Sequence, residues 1–329
     1  DVRFRFGKTV SFPMENEERL LPDDTAAFLK EIYELADNRD MRSLLSHGDD
    51  DFSFAIPGVS RFRVSAYKQR GTLSAVIRVI TFRLPDYHML GIPDAIINLG
   101  LGGKGMTLIT GPAGSGKSTT LACIIDQINQ NQEKHIITLE DPLEFLHRHN
   151  KSIVSQREIH VDTDSYVAAL RAALRQSPDV ILLGEMRDYE TIQTAMTAAE
   201  TGHLVLSSLH TTGAANTIGR IVDVFEPAQQ RQISIQLSMV LQAVISQQLV
   251  PDVNGHTIPV FEVMRLNPAI RNMIRDNKVH QIDGVIASSA HEHMRSMDQS
   301  LLELYKQGRI TRETALKYAS NGDMLKRKL

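Results

Sequence analysis

Two different patterns of apolar and polar residues divide the chain. Up to about residue 84 the two kinds alternate in short segments, namely VRFRF (2–6), DFSFAI (51–56), SRFRVSAY (60–67) and TLSAVIRVI (72–80). Such alternation is typical of strands with one solvent-facing side. A helical pattern, DDTAAFLKEIYELAD, opens after Pro22 between them. We therefore predict a small α+β domain over residues 1–84.

From about Pro93 the apolar residues instead form short, nearly continuous runs. These are MTLIT (106–110), HIITLE (135–140), DVILLGE (179–185) and HLVLSSL (203–209), with helical patterns between them. Buried parallel strands that alternate with crossover helices have this pattern. We predict a linker rich in Pro and Gly over residues 85–93, an α/β core over residues 94–266 and a mostly helical region over residues 267–329.

Composition narrows the classes of function. The chain has 329 residues, which fits two domains, and its 36 basic against 39 acidic residues give a net charge of −3. The chain lacks the net positive charge that is typical of nucleic-acid-binding proteins, and it has no Trp that could stack on a base. Cys123 is the only cysteine, so a zinc site built from cysteines is not expected. No apolar run is long enough to span a bilayer.

The segment GPAGSGKST (111–119) matches the Walker A phosphate-binding pattern. Glycines allow backbone N–H groups to turn toward phosphate oxygens, and the following helix adds its dipole. An apolar strand precedes the segment and a helical run follows it, as a phosphate loop requires. We predict nucleotide binding by Gly111, Pro112, Ala113, Gly114, Ser115, Gly116, Lys117, Ser118 and Thr119, with Ser118 also binding Mg²⁺.

Acidic residues follow two of the predicted core strands. Glu185 ends DVILLGE, where a carboxylate can act on a bound metal or on the attacking water; the alternative is a solvated strand end. Glu140, Asp141 and Glu144 lie together in LEDPLEF. Like charges at this spacing repel unless a cation lies among them, which favours a metal site that includes Glu140 and Asp141. The alternative is a polar turn that begins at Asp-Pro.

Histidines and arginines supply further candidates. His203 and His210 flank the last predicted core strand and could contact the γ-phosphate or a neighbour, although lone histidines are often structural. Arg61, Arg63 and Arg78 lie on predicted strands of the first domain. An arginine that arrives from elsewhere can stabilise phosphoryl transfer, while the alternative is a solvated strand face.

Together these motifs resemble the secretion-type ATPases of the RecA-like superfamily, and within them the retraction ATPases of type IV pili. GPAGSGKSTTL resembles the family's Walker A motif, TLEDPLEF its Asp box, EMRD its Walker B end, and TAAETGHLVLSSLHTT its His box. The resemblance covers nearly the whole chain. It implies an α/β, RecA-like P-loop core with a smaller PAS-like α+β domain before it and a helical tail after it.

The resemblance also implies roles for individual residues. Glu144 and Glu185 would be catalytic carboxylates, His203 and His210 the His-box pair, and Arg61, Arg63 and Arg78 the arginines that approach the nucleotide when the small domain closes. AIRNMIRDNKVHQI (269–282) is similar to a helix needed for retraction, although Met273, Asp276 and Asn277 stand where the family has Leu, Glu and Gly. The predicted motif residues are Ala269, Ile270, Arg271, Asn272, Met273, Ile274 and Arg275.

The family further implies ATP and Mg²⁺ as cofactors, a homohexamer, a platform protein of the inner membrane as partner, and a cytoplasmic location at the inner face of the membrane. An extension or type II secretion ATPase with the same chemistry is an alternative. Those relatives commonly carry a four-cysteine zinc insert and a longer N-terminal region, and this chain has neither. A nucleic-acid translocase, or a nucleotide-binding module that is not a motor, is a third possibility.

Overall fold

The computed structural model describes residues 2–6, 8–12, 20–80 and 84–329 of the chain. It divides into two compact units, residues 1–82 and 83–329. The helical region predicted over residues 267–329 therefore belongs to the same unit as the α/β core.

The described residues of the first unit form two antiparallel sheets and two helices. In chain order its elements are β1 (Val2–Phe6), β2 (Lys8–Phe12), α1 (Pro22–Leu35), α2 (Arg42–His47), β3 (Asp49–Ile56), β4 (Ser60–Gln69) and β5 (Thr72–Ile80). β1 pairs with β2, and the other strands form a sheet in the order β3-β4-β5. The predicted α+β class is confirmed for this unit, and its assignment as PAS-like stays a prediction.

Opposite faces of the three-stranded sheet have opposite character. Phe52, Val64 and Ala66 are buried with Leu29 and Tyr33 of α1, so the helix covers one face. The three predicted arginines lie on the other face: Arg63 is paired with Arg78 across β4 and β5, and Arg61 lies two residues from Arg63. Arg61 and Arg63 are half-buried and Arg78 is exposed. The alternation in sequence thus segregated apolar from basic side chains, as predicted.

One buried carboxylate ties the elements of the first unit together. Asp50 accepts a hydrogen bond from the Tyr33 hydroxyl at 2.9 Å and two from the Arg39 guanidinium, at 3.0 and 2.9 Å. Burial alone would raise the pKa of Asp50, but the hydrogen bonds from Arg39 and Tyr33 outweigh it and hold this pKa below its usual range. Paired in this way, the charge links α1 to the sheet.

The second unit is built on a seven-stranded sheet. Its strands are β6 (Gly105–Thr110), β7 (His135–Glu140), β8 (Ile153–Glu158), β9 (Val180–Leu183), β10 (Leu204–Leu209), β11 (Leu241–Pro251) and β12 (Thr257–Arg265). Their order is β12-β11-β6-β10-β9-β7-β8, and only β12 runs antiparallel to its neighbour. The strands predicted at β6, β7, β9 and β10 are confirmed, whereas β8, β11 and β12 were not predicted.

Helices cover both faces of this sheet and form the end of the chain. They are α3 (Asp94–Ile97), α4 (Lys117–Asn131), α5 (Tyr166–Ala173), α6 (Tyr189–Glu200), α7 (Ala214–Asp223), α8 (Pro227–Val240), α9 (Pro268–Arg275), α10 (Ile282–Ser288), α11 (Met297–Lys306), α12 (Arg312–Tyr318) and α13 (Gly322–Lys326). Two large apolar clusters lie on the two faces of the sheet. Within the described residues, no helix has both the length and the hydrophobicity to cross a membrane.

The helix predicted to carry the retraction motif is α9. Asn267 caps it by accepting a hydrogen bond from the Ile270 N–H at 2.9 Å. Ile270 and Ile274 are buried in the core, while Arg271 and Arg275 are exposed. One side of the helix therefore fixes it to the core and the other presents positive charge to solvent.

We predict that the substitution Asp50→Ala selectively destabilises the first unit. It leaves a buried hydroxyl and a guanidinium without their shared acceptor, which costs about 1–3 kcal/mol. Hydrogen exchange of the full chain should show lower protection over β3 and β4 and unchanged protection in β6 and β10. Asp49→Ala is the matched control, because Asp49 is the exposed neighbour on the same strand; equal effects of the two substitutions would contradict the prediction.

Candidate nucleotide site

A turn of glycines and small residues follows the carboxyl end of β6. Gly111, Gly114 and Gly116 all have positive φ, at 143°, 76° and 86°. A Cβ at Gly111 would lie 2.1 Å from the carbonyl oxygen of Gln247, a contact no side chain can make. Glycine is therefore required at 111 both by backbone angle and by the approach of a neighbouring strand. The turn leads directly into α4, whose first residue is Lys117.

Gln247 of the neighbouring strand β11 packs against this turn and against the start of α4. Its side-chain oxygen accepts a hydrogen bond from the Thr120 hydroxyl at 2.8 Å, which orients the amide. Its Nε2 atom lies 2.9 Å from the position that a Cβ of Gly116 would occupy. Sequence reasoning missed Gln247. The available signal was the polar stretch Ser246-Gln247-Gln248 between the apolar segments AVI and LV of β11, in which Ser246 and Gln247 are buried.

The Lys117 amine lies at the centre of the turn. It donates hydrogen bonds to the Gly111 and Pro112 carbonyls, both at 2.9 Å, and lies 3.5 Å from Nδ1 of His210. Burial lowers the pKa of this amine, whereas Glu185 and Glu144 act in the opposite direction. The Lys117 ammonium group is buried and is influenced by the carboxylates of Glu185 and Glu144. Such a group is suited to binding an anion, such as a phosphate, that is itself bound to a metal cation.

His210 connects Lys117 to the predicted Walker B glutamate. Because β10 lies between β6 and β9, the residue after β10 lies between the ends of the two flanking strands. The Nε2 atom of His210 is 3.3 Å from a Glu185 oxygen, and the same oxygen pairs with Arg187 at 2.7 Å. The sequence-predicted residues Lys117, Glu185 and His210 are thus brought together. Arg187 was missed, although it lies within the EMRD motif.

His203 lies at the opposite end of the same strand. β10 runs parallel to β6 with Leu204 beside Gly105 and Leu209 beside Thr110, so the residue before Leu204 is remote from the turn. Nδ1 of His203 is 2.9 Å from the Ala198 carbonyl oxygen, which fixes the ring to the end of α6. The prediction that both histidines lie beside the γ-phosphate is therefore wrong for His203 within this chain.

The acidic cluster after β7 also differs from the prediction. Burial raises the pKa of Glu140 to about 7, and Gln156 lies 3.5 Å from its carboxylate. Asp141 and Glu144 are exposed. No three His, Cys, Asp or Glu side chains converge as metal ligands anywhere in the described part of the chain. The expected metal site of clustered carboxylates, including Glu140 and Asp141, does not form, because Glu140 is turned into the sheet edge while its neighbours face solvent.

Comparison with known proteins assigns the chain to a family. The family model "Type II/IV secretion system protein" matches residues 2–258. The chain belongs to this family. The resemblance inferred from the four motifs is thereby confirmed, and so are the predicted P-loop ATPase class and its α/β fold.

Individual relatives of this secretion ATPase family match most of the chain. A "Twitching motility protein" of Neisseria gonorrhoeae is 48% identical over 84% of this chain and 74% of its own length. The "Type IV pilus retractation ATPase PilT" of Pseudomonas aeruginosa is 45% identical over 86% of this chain and 83% of its own length. The crystal structure of the "Pilus Retraction Motor PilT and Bound ADP" superposes with a TM-score of 0.85 at 46% identity, covering 91% of this chain and 85% of that one.

We predict that Gly111→Ala abolishes nucleotide binding in this secretion ATPase. The added methyl group must displace either the turn or the Gln247 backbone, and both support the Lys117 amine. Gly202→Ala is the matched control: Gly202 also has positive φ and lies outside the turn, and nothing lies within 4 Å of a Cβ there. That control should cost only about 1–2 kcal/mol of backbone strain. Titration with a fluorescent ADP analogue measures both, and similar affinities for the two variants would contradict the prediction.

Proposed function

We propose that this chain is the ATP-hydrolysing subunit of a motor that retracts type IV pili. The observation that carries the proposal is the arrangement of Lys117, His210 and Glu185 at the mouth of the glycine turn. It joins a phosphate-binding cation to a carboxylate through one histidine. The identity to relatives named for retraction and twitching motility, over more than four fifths of the chain, supports the direction of work.

In the proposed reaction the nucleotide phosphates bind over residues 111–119. Backbone N–H groups of the turn and the start of α4 face them, and Lys117 exchanges its two carbonyl partners for phosphate oxygens. Glu185 orients the attacking water or accepts its proton. His210 lies where it can contact the γ-phosphate and transmit its presence to Glu185. Glu144, which acts on Lys117 across the turn, is proposed as a further carboxylate on the metal side.

The residues at the turn fit a magnesium ion. Ser118 is exposed at the start of α4, next to the buried Lys117. Mg²⁺ in such sites is held mainly by phosphate oxygens and waters with one or two protein ligands, so a cage of carboxylates is not needed. Ser118 would supply the protein ligand. The ion would neutralise charge that develops on the transferred phosphoryl group.

The arginine face of the first unit completes the proposed site. Arg61, Arg63 and Arg78 share one side of a sheet whose other side is packed against α1. We propose that this face closes over a bound nucleotide, of the same or an adjoining subunit, and opens after hydrolysis. A homohexameric ring would let six such closures act in turn on a platform protein of the inner membrane, which places the motor at the cytoplasmic side of that membrane.

The alternative function is that of an ATPase that drives pilus extension. Such an ATPase would use the same chemistry of hydrolysis but have the opposite effect on the pilus. Both kinds of motor would hydrolyse ATP at the same turn, so the chemistry of the turn does not separate them. The charged side of α9 favours retraction, because the motif AIRNMIR leaves Arg271 and Arg275 exposed while its apolar side is buried. An exposed, basic helix face on a chain with net charge −3 is suited to an acidic partner surface.

We predict that Glu185→Gln lowers the kcat of ATP hydrolysis by about 10²–10⁴-fold while ADP still binds, because the amide keeps the shape but cannot accept a proton. Steady-state phosphate release and ADP titration measure the two effects. Glu190→Gln, at an exposed position in the first turn of α6, is the matched control and should retain full turnover. Normal hydrolysis by Glu185→Gln would remove the proposed role of this residue.

We predict that Arg271→Glu abolishes pilus retraction while ATP hydrolysis is preserved. ATP turnover should stay within about twofold, because Arg271 is exposed on α9 and is not one of the residues proposed to bind or hydrolyse the nucleotide. Cells that carry only this variant should accumulate surface pili and lose twitching, whereas Arg312→Glu on the exposed side of α12 should retract normally. Bald cells after deletion of the gene would instead assign extension, and DNA-stimulated turnover with a steep salt dependence would assign a translocase.

A further inference from the structure

A buried carboxylate joins two helix starts in the second unit, away from the glycine turn. Glu262 of β12 is 5% exposed. One of its oxygens accepts a hydrogen bond from the Ala214 N–H at 2.8 Å and the other from the Met297 N–H at 3.4 Å. These are the first residues of α7 and α11. Both helix dipoles present their positive ends to the carboxylate, which offsets part of the cost of burying its charge; burial still raises the pKa of Glu262.

On one side this carboxylate is connected to the nucleotide site. Ser246 is paired with Glu262 on β12 and with Thr110 on β6, the residue that precedes the glycine turn. The Ser246 hydroxyl accepts a hydrogen bond from the Gly213 N–H at 2.9 Å. Ser246 and Glu262 therefore hold two consecutive N–H groups at the start of α7, only three and four residues after His210.

The segment between His210 and α7 has little freedom of its own. The Thr211 and Thr217 hydroxyls are 2.7 Å apart, and the Thr217 hydroxyl donates to the Gly213 carbonyl at 2.8 Å. Because the start of α7 is bonded back onto this segment, a movement of His210 must be passed to Gly213 and Ala214 rather than absorbed by a loose loop.

On the other side the carboxylate is connected to the helices at the end of the chain. Asp298, next to Met297, accepts hydrogen bonds from the Ser320 and Asn321 N–H groups at 2.7 and 3.0 Å. The start of α11 thus organises α12 and α13, whose apolar side chains pack with Leu301 against β11 and β12. A cavity lined by Gly213, Glu262 and Asn321 lies between α7 and these helices. Glu262 spans the two groups of helices at the edge of this cavity.

We infer that Glu262 is a positioning residue that couples the His210 segment to the C-terminal helices, so that the state of the phosphate site is passed to α11. The inference rests on the proposed function, in which phosphate binding draws Lys117 from the Gly111 and Pro112 carbonyls and changes the partners of His210. The start of α7 then moves with His210, and the shared carboxylate transfers that movement to Met297. Through its hydrogen bond to Ala214, Glu262 also keeps the His210 side chain positioned beside Glu185.

Glu262→Gln tests the inference in the full-length chain. The amide keeps the size of the side chain but has one acceptor atom, so its NH₂ group must face one of the two N–H donors and one bond is lost. The longer bond, to Met297, is the one we expect to break. Asp298→Asn is the matched control, because it weakens the contacts to residues 320 and 321 without touching α7.

Hydrogen exchange with and without ADP is the first measurement. In the unmodified protein ADP should slow exchange at residues 297–300, and in Glu262→Gln this effect should vanish while ADP affinity stays within about threefold. Asp298→Asn should keep the effect. The second measurement is turnover: because the bond to Ala214 is kept, Glu262→Gln should leave kcat and the KM for ATP within about threefold of the unmodified protein, so the loss is confined to the response at residues 297–300.

The outcomes separate the inference from the proposed function. Failure of the unmodified protein to bind ADP would remove the proposed function and the inference with it. Normal ADP binding without any response at residues 297–300, or a response that persists in Glu262→Gln, would overturn the inference alone. If Glu262→Gln does not fold, Glu262→Asp decides: its shorter side chain keeps the carboxylate but cannot reach both N–H groups, and an ADP response at residues 297–300 equal to that of the unmodified protein would overturn the inference.

Discussion

The site depends on one buried amine at the base of a turn that has almost no side chains. Lys117 is 7% exposed and is held by two backbone carbonyls of its own turn. That arrangement requires the backbone to fold tightly around the amine, which positive φ at three glycines permits. The turn also needs support from the neighbouring strand β11. The carbonyl group and the side chain of Gln247 provide it by packing against the turn. A shift of either would leave a buried cation without partners, at a cost of several kcal/mol.

Parallel strands bring the remaining groups to this amine. β6, β10 and β9 are consecutive in the sheet, and each ends with a functional residue or turn at the same edge. The side chains of Lys117, His210 and Glu185 form a chain of polar contacts as a direct result. Ligands of open α/β sheets bind at this edge for the same reason. The geometry thus follows from strand order more than from any single interaction.

The polar residues buried on β11 and β12 extend this arrangement beyond the phosphate site. Ser246, Gln247 and Glu262 lie in strands whose other buried positions are mostly apolar, and each bonds to an element of the site or to the start of a helix. Buried polar groups are costly unless they are paired, so each one fixes a particular register between elements. In the first unit Asp50 has the same effect on α1, the segment that follows it and the sheet. The two units therefore use similar internal anchors, one beside a face of arginines and one beside a nucleotide turn.

The sequence by itself determined the features that depend on neighbouring residues. The composition of residues 111–119, the apolar runs at β6, β7, β9 and β10, and the alternation that segregates Arg61 and Arg63 from Val64 all express local chemistry, and the structure contains them as predicted. Only the tertiary structure decided which end of β10 faces the turn, and it placed His210 there and His203 at the far end. It also decided that the half-buried Glu140 carboxylate lies beside Gln156 of the neighbouring strand while Asp141 and Glu144 are exposed, and that Gln247 and Glu262 contact residues more than thirty positions away. Such contacts arise from the order and direction of strands, which residue spacing along the chain does not encode.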